Sequence, residues 1–372
     1  MAGLFQSFWQ AGFESACHIN KFNVRLDMIA ATQHDVLAGP DYAMLAEAGF
    51  LTARDGCRWH LIDRGGQYDF SPLRPLAEAA ERHGVEVIWN LCHYGWPDDV
   101  DILKPQFVDR FARYAGATAR FLREQTDRVP FFCPVNEISF FCWAAARFFY
   151  PFAEGQDNAI KFQLVRAVIA ACEAIWNVDR RARFMHSDPI INVVAPRQRP
   201  DLGEAAARHR EAQFEAWDMV AGRKAPSLGG NPKYLDIIGA NFYYDNQWEI
   251  PNEKLAWDAI PLDERWIPLH RQLENLHQRY GRPVMLAETS HFGRLRGRWI
   301  RGVAEEIRLA AAAGVPVEGI CIYPILDRHD WEDPKWWHHS GLWDIKRDRK
   351  GNLRRVLNRS YAAGLRRAQE IV

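Results

Sequence analysis

Eight short apolar segments alternate with longer segments of helical periodicity along the 372-residue sequence, and this alternation constrains the fold most strongly. Strands are predicted at 5–13, 50–53 with 57–60, 85–92, 129–135, 183–185, 234–242, 283–287 and 317–324. Helices are predicted at 41–48, 71–83, 105–125, 158–176, 203–220, 263–280, 297–313 and 352–369. Eight strand–helix units in strict alternation predict a single (β/α)8 TIM barrel over residues 1–372.

A doubly wound open sheet is the alternative fold for the same alternation. It would place a glycine-rich phosphate-binding turn after the first strand. The segment there reads Gly-Phe-Glu-Ser from Gly12, and it lacks the G-x-G-x-x-G pattern. The closed barrel is therefore favoured.

Charge and apolar patterning argue against several classes of protein. Basic and acidic residues number 47 each, so the formal net charge is zero, which is not typical of a nucleic-acid-binding surface. No apolar run reaches the roughly 18–20 residues of a membrane-spanning helix. The N-terminus lacks the basic and apolar regions of a signal peptide. The seven cysteines fit reduced thiols, so a cytoplasmic protein is predicted.

Ionisable and aromatic residues follow most of the predicted strands. A TIM barrel carries its chemistry at the carboxyl ends of its strands, whereas a merely structural barrel needs no such residues there. The sequence therefore predicts an active site at this end of the barrel. The residues at the predicted strand ends are Glu14, His18, Arg58, His93, Asn136, Glu137, Asp188, Tyr243, Glu288 and Asp327.

Two of these residues, Glu137 and Glu288, suit a pair of catalytic carboxylates. Glu137 follows a buried strand and lies among aromatic residues, where desolvation raises the pKa of a carboxyl group and suits a general acid. Glu288 follows the seventh strand, so folding would bring the two together. Glycoside hydrolysis needs such a pair, separated by about 5–5.5 Å for retention and about 6.5–9.5 Å for inversion.

Five segments carry a more specific resemblance. They are 15–19 (Ser-Ala-Cys-His-Ile), 90–97 (Asn-Leu-Cys-His-Tyr-Gly-Trp-Pro), 135–137 (Val-Asn-Glu), 238–244 (Ile-Gly-Ala-Asn-Phe-Tyr-Tyr) and 325–331 (Ile-Leu-Asp-Arg-His-Asp-Trp). In order and in position, these segments resemble motifs of the family 1 glycoside hydrolases, the β-glucosidase and β-galactosidase group. Each motif alone is weak, but the ordered set covers nearly the whole barrel.

The resemblance implies a retaining β-glycosidase that acts on a carbohydrate substrate and needs no metal or cofactor. Glu288 would be the nucleophile and Glu137 the acid/base. The resemblance also implies that Asn136 lies near the sugar 2-hydroxyl and that Arg58 and Tyr243 keep Glu288 ionised. The residues implied to line the glycone pocket are His18, His93, Asp330 and Trp331.

Departures from the family pattern affect the expected specificity. His18 stands where the family usually has a glutamine, and Asp330 stands where it usually has a glutamate. β-Glucoside specificity therefore does not carry over. An anionic sugar stays an alternative substrate, because the basic residues Arg328, His329 and Lys335 lie in the last of the five segments or just after it.

Three alternative functions remain open at this point. A transglycosidase would use the same two glutamates with another acceptor, and a non-catalytic sugar-binding barrel would need neither. A metal-dependent barrel hydrolase would use the histidines near strand ends, because imidazole binds zinc. The sequence contains no H-E-x-x-H motif and no His-x-His on the first strand, which disfavours the metal-dependent enzyme.

Overall fold

Eight parallel strands close into a barrel in the computed structural model, which describes residues 3–150 and 153–372. The strands are β1 (Trp9–Gly12), β2 (Thr52–Gly56), β3 (Glu86–Cys92), β4 (Phe131–Val135), β5 (Arg183–Pro189), β6 (Ile237–Asn241), β7 (Val284–Thr289) and β8 (Val317–Ile322). Each strand pairs with the next along the chain, and β8 pairs with β1. The predicted (β/α)8 barrel is confirmed.

Helices surround the barrel on its outside. The longer ones run over Ala38–Glu47, Arg74–Arg82, Gln106–Gln125, Asp157–Trp176, Gly203–Glu211, Glu215–Val220, Leu269–Tyr280, Arg296–Ala312 and Arg359–Gln369. In Gln106–Gln125, the buried side chains of Phe107, Phe111 and Tyr114 recur at helical spacing and form the face that packs inward. Short helices cover Met28–Ala31, Trp59–Ile62 and Ile138–Ala144, and a π-helical turn covers Ala145–Phe149.

In the part of the chain that the structure describes, four small sheets lie outside the barrel, in the segments that connect its strands and helices. A three-stranded sheet joins Asn192–Val194, Gln247–Glu249 and Glu253–Lys254, and three hairpins pair two strands each. The hairpins are Asp63–Arg64 with Gln67–Tyr68, Arg328–His329 with Trp337–His338, and Trp343–Arg347 with Leu353–Leu357.

A distinct cluster of buried apolar side chains includes residues of several barrel strands. Its members include Phe5, Ile88, Phe131, Cys133, Met185, Ile237, Met285, Ala287 and Cys321. Tyr323 also belongs to this cluster, and the centre of its ring lies 5.1 Å from the guanidinium of Arg54, a charged residue of β2. The buried charge of Arg54 therefore borders this apolar cluster.

The second strand differs from its prediction in a way that matters for the site. It runs through Thr52–Gly56 and carries two fully buried charged residues, Arg54 and Asp55. The apolar pattern instead placed strand segments on both sides of this pair, because charged side chains are rarely buried unless they are paired. The segment predicted as strand at 57–60 leads into the helix Trp59–Ile62.

Two predicted helices are also divided in the structure. The 203–220 prediction is interrupted by a 3₁₀ turn at Ala212–Phe214. The 352–369 prediction contains a strand, Leu353–Leu357, and its helix begins only after Asn358, whose side chain accepts a hydrogen bond from the backbone N–H of Tyr361. The strand forms because Trp343–Arg347 is available as a pairing partner, which local periodicity does not reveal.

Among the helices that the structure describes, none is both long enough and apolar enough to cross a membrane. All seven cysteines are buried free thiols.

Candidate active site

A cavity of about 1320 Å³ lies at the carboxyl end of the barrel. Both glutamates singled out from the sequence, Glu137 and Glu288, line it. Aromatic side chains contribute much of the wall. Other lining residues are Glu14, His93, Tyr94, Phe140, Trp143, Tyr243, Tyr244, Trp248, Phe292, Tyr323, Arg328 and Trp331.

Glu137 follows β4 in a left-handed backbone conformation, with φ of 51°. That conformation costs about 1–2 kcal/mol for a residue with a side chain. It is held by the surrounding contacts, since the Glu137 backbone N–H donates to Ser187 O at 3.0 Å. In the following turn, the carboxylate of Asp188 accepts hydrogen bonds from the backbone and hydroxyl of Ser139. The turn is therefore fixed by β5, the neighbouring strand.

Both carboxyl oxygens of Glu137 have hydrogen-bond donors. The Tyr94 hydroxyl donates to Oε2, and Asn241 Nδ2 donates to Oε1 at 2.7 Å. Burial raises the pKa of Glu137 well above its ordinary value, and the negative charge of Glu288 raises it further. The two donors act in the opposite direction, but burial dominates. Glu137 is thus suited to carry a proton near neutral pH.

Glu288, at the end of β7, lies in a different environment. Arg54 Nη1 lies 3.0 Å from its Oε1, and the Tyr243 hydroxyl donates to its Oε2 at 2.7 Å. The side chain is only 5% exposed, so this ion pair is almost fully withdrawn from water. A buried carboxylate with a cation and a hydroxyl donor has the partners that its charged form needs.

Arg54 links Glu288, at the end of β7, to Asn136, which follows β4. Its Nη2 donates to Asn136 Oδ1 at 2.7 Å and to Asn90 Oδ1 at 3.2 Å, while Nη1 also donates to Ala287 O at 2.6 Å. Burial alone would lower the pKa of Arg54, but the charge of Glu288 reverses the direction and raises it. Arg54 is therefore a permanent cation inside the barrel.

Arg58 does not neighbour Glu288, and that prediction is wrong. Its Nη1 lies 3.1 Å from Asp27 and 2.9 Å from Asp35, in the loops that follow β1. The error comes from the misplaced second strand, because the barrel interior is reached by the residue within β2, Arg54. The sequence feature that could have indicated the role of Arg54 was the Arg54-Asp55 pair inside a short strand-like segment, because charged residues buried in a strand need partners.

Asn136 and His93 form a hydrogen-bonded pair whose direction is fixed by its neighbours. Asn136 Oδ1 accepts from Arg54 and from Ser187 Oγ, so its Nδ2 donates to His93 Nε2 at 3.1 Å. The His93 proton therefore resides on Nδ1, which lies 2.9 Å from Ser15 Oγ. Burial, and next the charge of Arg54, lower the pKa of His93 well below its ordinary value. His93 lines the cavity as a neutral ring, with Asn136 fully buried behind it.

Of the other residues implied to line the glycone pocket, Trp331 lines the cavity, but His18 and Asp330 do not. Tyr243, which was implied to neighbour Glu288, also lines it. The His18 ring is fully buried 3.8 Å from the Phe149 ring, and neither nitrogen has a hydrogen-bond partner among the described residues. Burial lowers the pKa of His18 to about 3. The Asp330 carboxylate instead accepts from His338 Nε2 at 2.8 Å and from two backbone N–H groups of its own loop.

Four residues of the site were assigned no role from the sequence. They are Glu14, Arg54, Tyr94 and Asn241. Glu14 was visible as a strand-end carboxylate, and Tyr94 and Asn241 lie inside the quoted motifs. Their contacts involve residues from other strands, so no local signal assigned them to Glu137 or to the cavity.

Within residues 3–150 and 153–372, the histidines near strand ends that a metal-dependent hydrolase would use do not form a group of possible metal ligands. Among the described residues, a geometry suited to a cation occurs at Asp327, His339 and Asp344. The guanidinium of Arg296 lies 2.9 Å from Asp344 and 3.9 Å from Asp327, so these two carboxylates already have a positive charge beside them. This geometry does not favour the metal-dependent alternative.

Comparison with known proteins supports the fold but not a close relationship. No protein-family model and no curated protein matches the sequence. A β-glucosidase from Thermotoga maritima, solved with glucoimidazole, is similar in structure, with a TM-score of 0.75, 13% identity and 98% of each chain covered. A further β-glycosidase matches at a TM-score of 0.69 and 18% identity, over 91% of this chain and 87% of the other.

A structure described as a family 1 β-glucosidase from Thermotoga maritima gives a TM-score of 0.73 at 12% identity, with 98% of each chain covered. An enzyme from Alicyclobacillus herbarius gives 0.71 at 17% identity, over 92% of this chain and 88% of the other. The resemblance indicated by the sequence motifs is thus confirmed at the level of the fold. This chain has the (β/α)8 barrel fold of the family 1 β-glucosidases, at low sequence identity to them.

Proposed function

We propose that the protein is a retaining β-glycoside hydrolase, with Glu288 as nucleophile and Glu137 as acid/base. The observation that carries this proposal is the contrast between two buried carboxyl groups that line one cavity. Burial favours a proton on Glu137, whereas Glu288 is paired with Arg54 and Tyr243. A carboxyl group that favours its proton suits a general acid, and a carboxylate held beside a cation and a hydroxyl donor suits a nucleophile.

In the first step, Glu288 attacks the anomeric carbon and forms a covalent glycosyl ester. The bond between that carbon and the leaving oxygen breaks, and Glu137 gives its proton to the leaving oxygen. In the second step, Glu137 removes a proton from water, the water oxygen bonds to the anomeric carbon, and Glu288 leaves as a carboxylate.

Tyr94 and Asn241 determine where the proton of Glu137 resides. The Asn241 amide donates to Oε1, so a proton on that oxygen would oppose the amide N–H, and the acidic proton therefore belongs on Oε2. The Tyr94 hydroxyl, next to Oε2, donates to the ionised carboxylate and accepts from the protonated acid. Tyr94 thus serves both protonation states of the two-step reaction.

The aromatic wall of the cavity supports a sugar substrate. Phe140, Trp143 and Trp331 line the cavity. Tyr244 and Phe292 also line it, and the centres of their rings are 5.4 Å apart. Flat apolar ring faces suit the C–H faces of sugars and apolar aglycones.

The proposal is tested by trapping with a panel of activated 2-deoxy-2-fluoro β-glycosides, followed by intact mass and peptide mapping. An adduct on Glu288 supports both the nucleophile and retention. The variant Glu288→Gln should not be labelled, whereas Glu332→Gln, a surface carboxylate paired with Lys21, should be labelled like the wild type. Turnover without an adduct and with inverted product would refute retention. A folded wild type that binds sugars without turnover would support the sugar-binding alternative.

A further inference from the structure

A third carboxyl group, that of Glu14, lines the same cavity as Glu137 and Glu288. Glu14 lies two residues beyond β1 and is 7% exposed. Its Oε1 accepts the backbone N–H of Ala16 at 3.1 Å, which fixes the side chain. Burial raises the pKa of Glu14, and Arg328 is the main influence in the opposite direction. A carboxyl group buried at a binding cavity is costly, so it suggests a ligand-binding role.

His93 does not satisfy Glu14, although Nε2 of His93 lies 3.8 Å from its Oε1. That nitrogen accepts a hydrogen bond from Asn136 and carries no proton. His93 therefore contacts Glu14 without donating to it. This arrangement leaves the carboxylate as an acceptor toward the cavity.

Arg328 lies on the other side of Glu14. Its Nε is 3.5 Å from Glu14 Oε2, which is longer than an ordinary N–H···O hydrogen bond of about 2.7–3.2 Å. Its Nη1 donates to the carbonyl of His329, and its guanidinium lies 5.1 Å from the ring centre of Trp331. The carboxylate of Glu14 (an acceptor), the guanidinium of Arg328 (a donor) and the ring of Trp331 therefore lie next to one another at the cavity surface.

We propose that Glu14 and Arg328 select the glycone, by binding two neighbouring hydroxyl groups on the ring carbons remote from the scissile bond. This inference rests on the proposed glycosidase function and deepens it. Glu14 accepts from one hydroxyl, Arg328 donates to the other, and Trp331 lies beside them. The glycone is therefore a neutral hexose, because Glu14 repels a carboxylate or phosphate and already offsets the charge of Arg328.

Asp330 does not compete for this role. Its Oδ2 accepts from His338, and its Oδ1 accepts the backbone N–H groups of Glu332 and Asp333. The sugar-binding carboxylate expected on the loop after β8 is thereby replaced by one at the end of β1. The inference is specific to this chain, since it depends on where its own loops turn.

The test compares kcat/KM of wild type, Glu14→Gln, Arg328→Gln and the surface control Glu332→Gln. The substrates are aryl β-hexosides, their 3-, 4- and 6-deoxy analogues and the matching hexuronide. For the preferred hexoside, Glu14→Gln should lower kcat/KM by about 10- to 100-fold, as expected for a hydrogen bond to a charged group. For one deoxy analogue the same substitution should have little effect, because the contacted hydroxyl is already missing.

The hexuronide gives a second, opposite readout. Relative to the hexoside, its kcat/KM should rise in Glu14→Gln, where Arg328 is no longer offset, and should fall in Arg328→Gln. Affinity for the free hexose and its deoxy derivatives, measured by calorimetry, gives the same comparison without turnover. Circular dichroism checks that each variant is folded.

Three results would overturn the inference. Glu14→Gln could match the wild type, or it could lower activity by one factor on every substrate, or Asp330→Asn could show the selective pattern in its place. Labelling of wild-type Glu288 by a fluoro sugar separates these results from failure of the proposed function. If no wild-type adduct forms and no hexose binds, the glycosidase proposal and this inference fail together. If an adduct forms without Glu14 selectivity, only the inference fails.

Discussion

Replacing Arg54 by methionine removes the cation that faces Glu288 inside the barrel. The side chain is fully buried, and its loss removes a donor from Glu288 Oε1, Ala287 O, Asn90 Oδ1 and Asn136 Oδ1. Asn136 Oδ1 keeps a second donor, the hydroxyl of Ser187. Breaking a buried ion pair by removing one partner costs about 3–5 kcal/mol. For a protein of this size, that corresponds to a fall in Tm of roughly 4–6 °C. The expected loss of kcat is at least about 100-fold, because the nucleophile must stay ionised.

Arg58→Met is the matched control. Its carboxylate partners, Asp27 and Asp35, are 20% and 24% exposed, so water can replace the lost donor. A cost of about 1–2 kcal/mol is expected for hydrogen bonds to partly solvated carboxylates, with kcat near that of the wild type. The assays are thermal unfolding by circular dichroism and steady-state hydrolysis of an aryl glycoside. An active Arg54→Met protein, or an inactive and folded Arg58→Met protein, would refute the reasoning.

Three further predictions concern single side chains. Tyr94→Phe removes a hydrogen-bond donor that lowers the pKa of Glu137. The alkaline limb of the pH–rate profile should therefore move to higher pH, and kcat should fall about tenfold. An unchanged profile would contradict the role of Tyr94. Glu137→Ala should lower kcat/KM far more for glycosides with poor leaving groups than for activated aryl glycosides, because only the former need a proton; equal losses would contradict the acid assignment. Burial lowers the pKa of His34, but Asp55 and Asp41 outweigh that effect and raise the pKa to about 9. The protonated ring should therefore add roughly 3 kcal/mol to the free energy of unfolding. This contribution should be fully present below about pH 6.5 and lost as pH rises through about 9. Urea unfolding at both ends of this range checks the last prediction, and His34→Gln should remove the difference.

The boundaries of β2 and the role of Arg54 illustrate how far local patterns reach. Periodicity and capping residues located seven of the eight strands within a few residues, because those strands are apolar runs between turn signals. β2 contains Arg54 and Asp55, which are buried only because Glu288, His34 and Tyr42 compensate them. Those partners lie up to 234 residues away, so the sequence around β2 does not show which residues compensate the two charges.

The sequence by itself determined the barrel, seven of its eight strands and the two glutamates at strand ends, because strand–helix alternation and residues next to a strand terminus are local properties. Only the tertiary structure decided which side chains share the cavity. It brings Arg54 to Glu288, Tyr94 to Glu137 and Glu14 to Arg328, and it leaves His18 and Asp330 outside the set of residues that line the cavity. These choices depend on distances between residues of different strands and on which polar groups are already satisfied, and a linear pattern does not contain that information.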